Sequence, residues 1–150
     1  MNVHLNDISK IIQLSIAPVF LLTGVGTQLV VLTNRLARII DRSRILEEKL
    51  IIDSHPHAME LDELYTRSHL INRSIAFSTV CALLVCLVIA TLFLEDAMGF
   101  NLSKLIATMF VLGVLSLTGS YIFFLGEIYV ATRTLERDRL RRGRKVILKK

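Results

Sequence analysis

Three apolar runs limit this chain more than any other feature. They are Ile11–Leu32, Ile75–Leu94 and Leu102–Leu125, of 22, 20 and 24 residues, with Lys104 the one charge among them. At about 1.5 Å per residue each run makes a helix of roughly 30–36 Å, enough to cross the hydrocarbon core of a bilayer. A soluble domain of this size spreads its apolar residues at surface-helix or strand spacing; here the 53% that are hydrophobic are gathered into blocks. The expected fold is all-α: an integral membrane protein with three transmembrane helices and a cytoplasmic antiparallel helical hairpin between the first and the second.

The first run has more internal detail than the others. Asn6 or Asp7 is placed to cap a helix starting near Ile8. Pro18 lacks a backbone donor, so a kink or a fresh start is expected there, with Ile8–Ala17 lying in the outer interface. The run is too long for a signal-peptide core and has no small-residue cleavage site, so it reads as a retained anchor. Gly24, Thr27, Gln28 and Arg35 recur at spacings of three, four and seven. An amide in hydrocarbon needs a partner and glycine permits close helix approach, so this face is expected to point into a bundle, as a packing seam or a pore lining.

Residues 33–74 form the longest polar insert. Leu32, Leu36, Ile39, Leu46 and Leu50 follow a heptad in which Ser43 fills the missing place, and Leu61, Leu64, Ile71 and Ile75 follow another in which Ser68 does. Between them Asp53-Ser54-His55-Pro56-His57-Ala58 is a breaker. Seven basic and seven acidic side chains balance over the insert, as on a solvated hairpin laced with ion pairs. Ser43 and Ser68 stand ten residues either side of the turn, and a small polar layer there would loosen the seam or admit a third helix. His55 and His57 with Asp53 are a weak metal-ligand pattern lacking a fourth donor nearby; a solvated turn is the plainer reading. Asp41-Arg42-Ser43-Arg44 fits a charged helix surface better than a dedicated binding motif.

Orientation follows from the basic residues. Seven Lys/Arg lie in 33–74 and nine in 126–150, against Lys10 and Lys104 elsewhere, so 16 of 18 are on one side. The positive-inside rule makes that side cytoplasmic, with the N-terminus and residues 95–101 outside a bacterial inner membrane. The tail 126–150 carries a net charge of +6, nine basic residues less Glu127, Glu136 and Asp138. Next to a bilayer, its Arg141, Arg142, Arg144 and Lys145 are expected to attract anionic inner-leaflet lipid and not nucleic acid. Gly113, Ser116, Gly119 and Ser120 supply small residues for close packing of the third span. Cys81 and Cys86, five residues apart on one helix, cannot bridge each other.

Thr33-Asn34-Arg35-Leu36-Ala37-Arg38-Ile39-Ile40-Asp41-Arg42-Ser43-Arg44, the proline-led first span and Gly126-Glu127-Ile128 at the end of the third give the chain a resemblance to a bacterial family of small membrane proteins, domain of unknown function 2721. The resemblance covers most of the chain. It implies a three-span bacterial membrane protein and brings no catalytic residues.

The strongest polar constellation is a collar where the helices leave the membrane: Asn34, Arg35 and Arg38 after the first span, Arg73 before the second and Glu127 after the third. A carboxylate at that depth is costly unless paired, and Arg35, Arg38 or Arg73 is at the right height. The collar reads as an ion path or hinge, or more plainly as a structural anchor with arginines snorkelling to phosphates. No catalytic triad, phosphate loop or zinc-protease pattern occurs, so neither an enzyme nor a cofactor is expected. The expected function is a homo-oligomeric scaffold or interaction protein acting through its cytoplasmic hairpin, possessing a partner in the cytoplasm. The alternative is an oligomeric channel or small-solute transporter lined by Gly24, Thr27 and Gln28.

Overall fold

In the computed structural model the described residues are 2–50, 58–98 and 101–147, and all regular structure among them is helical. There are three helices: α1 (Asn2–Leu50), α2 (Ala58–Met98) and α3 (Ser103–Ile147). Each contains a stretch long and apolar enough to cross a membrane. Their outward surfaces agree with that, since Phe20 is 74% exposed and Leu83, Leu115, Ile122 and Leu125 are similarly bare. Side chains of this kind massed on every helix would be untenable in water and are ordinary against lipid.

Two expectations about α1 change. The helix begins at Asn2, not near Ile8, and it runs unbroken through Pro18 to Leu50. A proline removes only the hydrogen bond to the carbonyl four residues back, and in membrane helices local packing absorbs that loss. Pro18 is buried, and with Leu14 it lines an apolar cavity of about 580 Å³ beside Val88, Leu92 and Phe110.

The chain divides into two compact units, Met1–Leu32 with Ile75–Ser120, and Thr33–Ser74 with Tyr121–Lys150. In the first, Val25, Cys81 and Val85 form a buried core flanked by Leu21, Leu22, Leu29, Ile89 and Leu117. Helix α3 comes close to α2 through its glycines. A Cβ on Gly113 would lie 3.6 Å from Leu84 Cβ, and one on Gly119 3.4 Å from the Phe77 ring. Ser116 adds a hydrogen bond, its hydroxyl donating to the Phe77 carbonyl at 2.8 Å. Glu95 closes the junction of α2 and α3 by accepting from Leu102 N and Ser103 Oγ at the start of α3.

In the second unit Ile39, Leu46, Leu64 and Ile71 are buried, in the heptad register read from the sequence. The two arms meet in opposite order, since Tyr65 Oη donates to Glu47 Oε1 at 2.6 Å while Ser43 and Ser68 line one cavity of about 260 Å³. Ser43 turns its hydroxyl onto its own helix, donating to the Ile40 carbonyl. The turn that joins the arms, with Asp53, His55 and His57, lies outside the described residues.

Candidate functional site

Among the described residues, buried polar side chains bond from helix to helix in two groups, one in each unit, with Ser15 and Ser74 also buried. In the first unit α1, α2 and α3 each contribute one residue. Gln28 Nε2 donates to Ser120 Oγ at 3.1 Å, and Ser120 Oγ lies 2.7 Å from Ser78 Oγ. Ser78 and Ser120 are fully buried and Gln28 nearly so. Gln28 Oε1 is buried and accepts no hydrogen bond among the described residues. The layer joins three helices by direct contact, the use to which polar groups in membrane bundles are commonly put.

The rest of the face expected around Gln28 does not accompany it. Gly24 and Thr27 are exposed, and nothing lies within 4 Å of a Cβ built on Gly24. Thr27 donates to the Thr23 carbonyl of its own helix. Successive residues are about 100° apart on a helix, so Thr27 and Gln28 cannot share a narrow face, and the buried stripe runs instead through Val25, Gln28 and Leu32.

In the second unit the centre is Glu127, whose side chain has no exposed surface. Arg67 reaches it from α2, with Nε at 3.0 Å and Nη2 at 2.8 Å, both donating to Oε1. Arg35 reaches it from α1, with Nη1 3.3 Å from Oε2. That second contact is Coulombic only: Oε2 receives no hydrogen bond of good geometry. Arg35 also lies over the Phe124 ring, 5.2 Å from its centroid. The two guanidinium groups keep partial access to solvent while the carboxylate has none. Desolvating a charge is expensive, so the anion is the member of the cluster that depends on its partners.

Of the expected collar, Arg35 and Glu127 are paired and the others are not part of the ion pair. Asn34, Arg38 and Arg73 are exposed, and Arg73 lies over the Phe123 ring at 5.9 Å. Arg67 takes the place in which Arg38 or Arg73 was expected. Its signal was its register: Leu64, Ile71, Ser78 and Val85 repeat every seven residues, and Arg67, Ser74, Cys81 and Val88 repeat beside them. All but Arg67 are buried, and Arg67 is half-buried. A guanidinium beginning that second column is the sign that a carboxylate faces it. Ser78 carried the same signal for the polar layer.

A cavity of about 310 Å³ adjoins the pair, lined by Arg35, Arg38, Ile39, Arg42, Leu64 and Arg67. The backbone of Arg141, Arg142, Arg144 and Lys145 belongs to α3, and their side chains lie outside the described ones. His69 is exposed, and among the described residues no three His, Cys, Asp or Glu side chains are grouped to hold a metal.

A family described as "Protein of unknown function (DUF2721)" matches residues 15–137, which take in both polar centres. No curated protein and no solved structure matches the chain.

Proposed function

We infer that this chain, which belongs to the DUF2721 family, is a non-enzymatic inner-membrane scaffold that works as a homo-oligomer through its extramembrane helices. The observation that carries this is how the intramembrane polar groups are used. Gln28, Ser78 and Ser120 bond to one another beside the apolar Val25, Cys81 and Val85. A conduction path through one chain needs polar groups turned toward water, and these are turned toward each other. Glu127 with Arg67 and Arg35 ties residues of all three helices in the extramembrane unit, giving a preorganised surface for a partner protein.

The distribution of Lys and Arg supports an orientation with residues 33–74 and the tail in the cytoplasm and the N-terminus outside. The exposed Gly24 and Thr27 support a second copy at that face, because small residues let membrane helices approach. They also keep the channel alternative, in which several copies would surround a pore lined there. Cysteines substituted singly at Thr27 and Gln28 separate the two. The scaffold predicts that both resist a membrane-impermeant thiol reagent, in a background with Cys81 and Cys86 replaced by serine. Rapid labelling at Thr27 in an oligomer would favour the pore, and a monomer in lipid nanodiscs would remove both oligomeric readings. A C-terminal reporter active outside the cell would overturn the orientation.

A further inference from the structure

The cavity beside Glu127 is a site that scaffolding alone does not require. Four of its six lining residues are arginines: Arg35, Arg38 and Arg42 from α1, and Arg67 from α2. The α1 residues recur at three and four, so they stack along one face of the helix. Glu127 neutralises one of the four charges, and the remaining walls are Ile39 and Leu64. Arginines gathered on a part-apolar cavity repel one another, and the arrangement is relieved by an anion with several acceptor oxygens.

We propose that this cavity binds a phosphate group, held by forked hydrogen bonds from Arg38 and from the guanidinium donors that Arg35 and Arg67 do not use on Glu127. Each guanidinium has five N–H donors. Arg67 engages Glu127 through Nε and Nη2, and Arg35 through Nη1. Arg38 has no ion pair or hydrogen bond among the described residues and lies open to the cavity mouth. Arg42 is already engaged within the fold and contributes charge. The phosphate comes from a lipid headgroup or from solution. Arg35 follows the last apolar residue of the first span, Leu32, by three residues, about 4.5 Å along the helix, which is headgroup depth. The apolar Ile39 and Leu64 suit a glycerol backbone better than a fully hydrated ion. This assignment is independent of the scaffold reading and needs neither an oligomer nor a protein partner.

The test uses the full chain in a neutral detergent. Thermal unfolding is followed while short-chain phosphatidylglycerol, phosphatidylcholine or inorganic phosphate is added, and bound lipid is counted by native mass spectrometry. Wild type is expected to bind phosphatidylglycerol at one saturable site. Arg38→Gln should weaken that site about tenfold or more, and Arg38→Lys, which keeps charge and loses the fork, should fall between. Arg38 is exposed, so its replacement leaves the fold intact, which an unchanged ligand-free unfolding midpoint verifies. Arg141→Gln with Arg142→Gln controls for the basic tail and should leave the site unchanged. Equal binding of inorganic phosphate at the Arg38-dependent site would assign it to a soluble phosphate and sustain the proposal. Equal affinity in wild type and Arg38→Gln, loss of the site in the tail variant alone, or no saturable binding of either probe would overturn it.

Discussion

Replacing Arg67 with methionine should be among the most damaging single changes in the second unit, and the damage should come from what it leaves behind. Arg67 supplies both hydrogen bonds that Glu127 receives, at 3.0 and 2.8 Å. Methionine fills similar space and donates nothing. Glu127 would remain without exposed surface, with only Arg35 at 3.3 Å and no hydrogen bond from it. Removing one partner of a buried ion pair costs about 3–5 kcal/mol. Glu127→Gln should be milder, about 1–2 kcal/mol, because its amide oxygen still accepts from Arg67 and the partly exposed guanidinium can rehydrate. The double variant contains no buried charge at all. It should therefore be more stable than Arg67→Met alone, with a coupling larger than the cost of Glu127→Gln itself, about 2–3 kcal/mol. Unfolding of the four proteins in mixed micelles, titrated with a denaturing detergent, measures the cycle. Additive effects, or an Arg67→Met that is milder than Glu127→Gln, would refute the view that the carboxylate is the dependent member.

Three further changes probe other parts of the structure. Gln28→Leu removes one interhelical hydrogen bond together with a buried oxygen that has no acceptor role, so its stability should change by about 1 kcal/mol or less in the same unfolding assay. Gly113→Ala should be neutral, since its Cβ would sit 3.6 Å from Leu84, whereas Gly113→Leu should force α2 and α3 apart and cost about 1–3 kcal/mol. The hydrogen bond to Glu47 and then its negative charge raise the Tyr65 phenol above the ordinary value near 10, so the folded state favours the neutral phenol. Its contribution is fully present below pH 10 and is lost as pH rises through the raised value; Tyr65→Phe should flatten that part of an alkaline unfolding profile.

How much of this was legible in the sequence depends on which physical signal was involved. Run length counted the helices, because lipid demands about 20 apolar residues of any helix that crosses it. Of the heptad Leu32, Leu36, Ile39, Leu46 and Leu50 that marked one face of α1, Leu32, Ile39 and Leu46 are buried, Leu36 is half-buried and the Leu50 side chain lies outside the described ones. Glu127 stood out because a carboxylate next to an apolar run must have a partner. Its partner was harder to read. Arg38 and Arg73 were nearer the expected interface, but a guanidinium on a long stem reaches about a turn along its helix, and direction outweighs height. Thr27 parts from Gln28 because it is next to it in sequence and about 100° away around the helix. The helical path through Pro18 was not legible, because a proline in a membrane helix either breaks it or is tolerated, and its own sequence neighbourhood does not say which.

One register unites these successes and failures. On α1 the buried positions Pro18, Val25, Leu32, Ile39 and Leu46 repeat every seven residues, and Gln28, Arg35 and Arg42 repeat every seven beside them. On α3 Gly113, Ser120 and Glu127 do the same. A seven-residue repeat is a packing rule indifferent to solvent: leucine, serine or arginine can occupy its places provided each meets a partner. Hydropathy separates the apolar runs from the charged segments, whereas the heptad does not distinguish them. Polar residues on the repeat find buried partners inside each unit, Gln28 and Ser120 in one and Arg35, Arg67 and Glu127 in the other. Arg38 stands off the α1 repeat, three residues past Arg35, and has no partner among the described residues. That difference in register is why Arg35 and Arg67 serve the fold first, and why Arg38 is the residue whose loss should be felt by a ligand and not by the protein's stability.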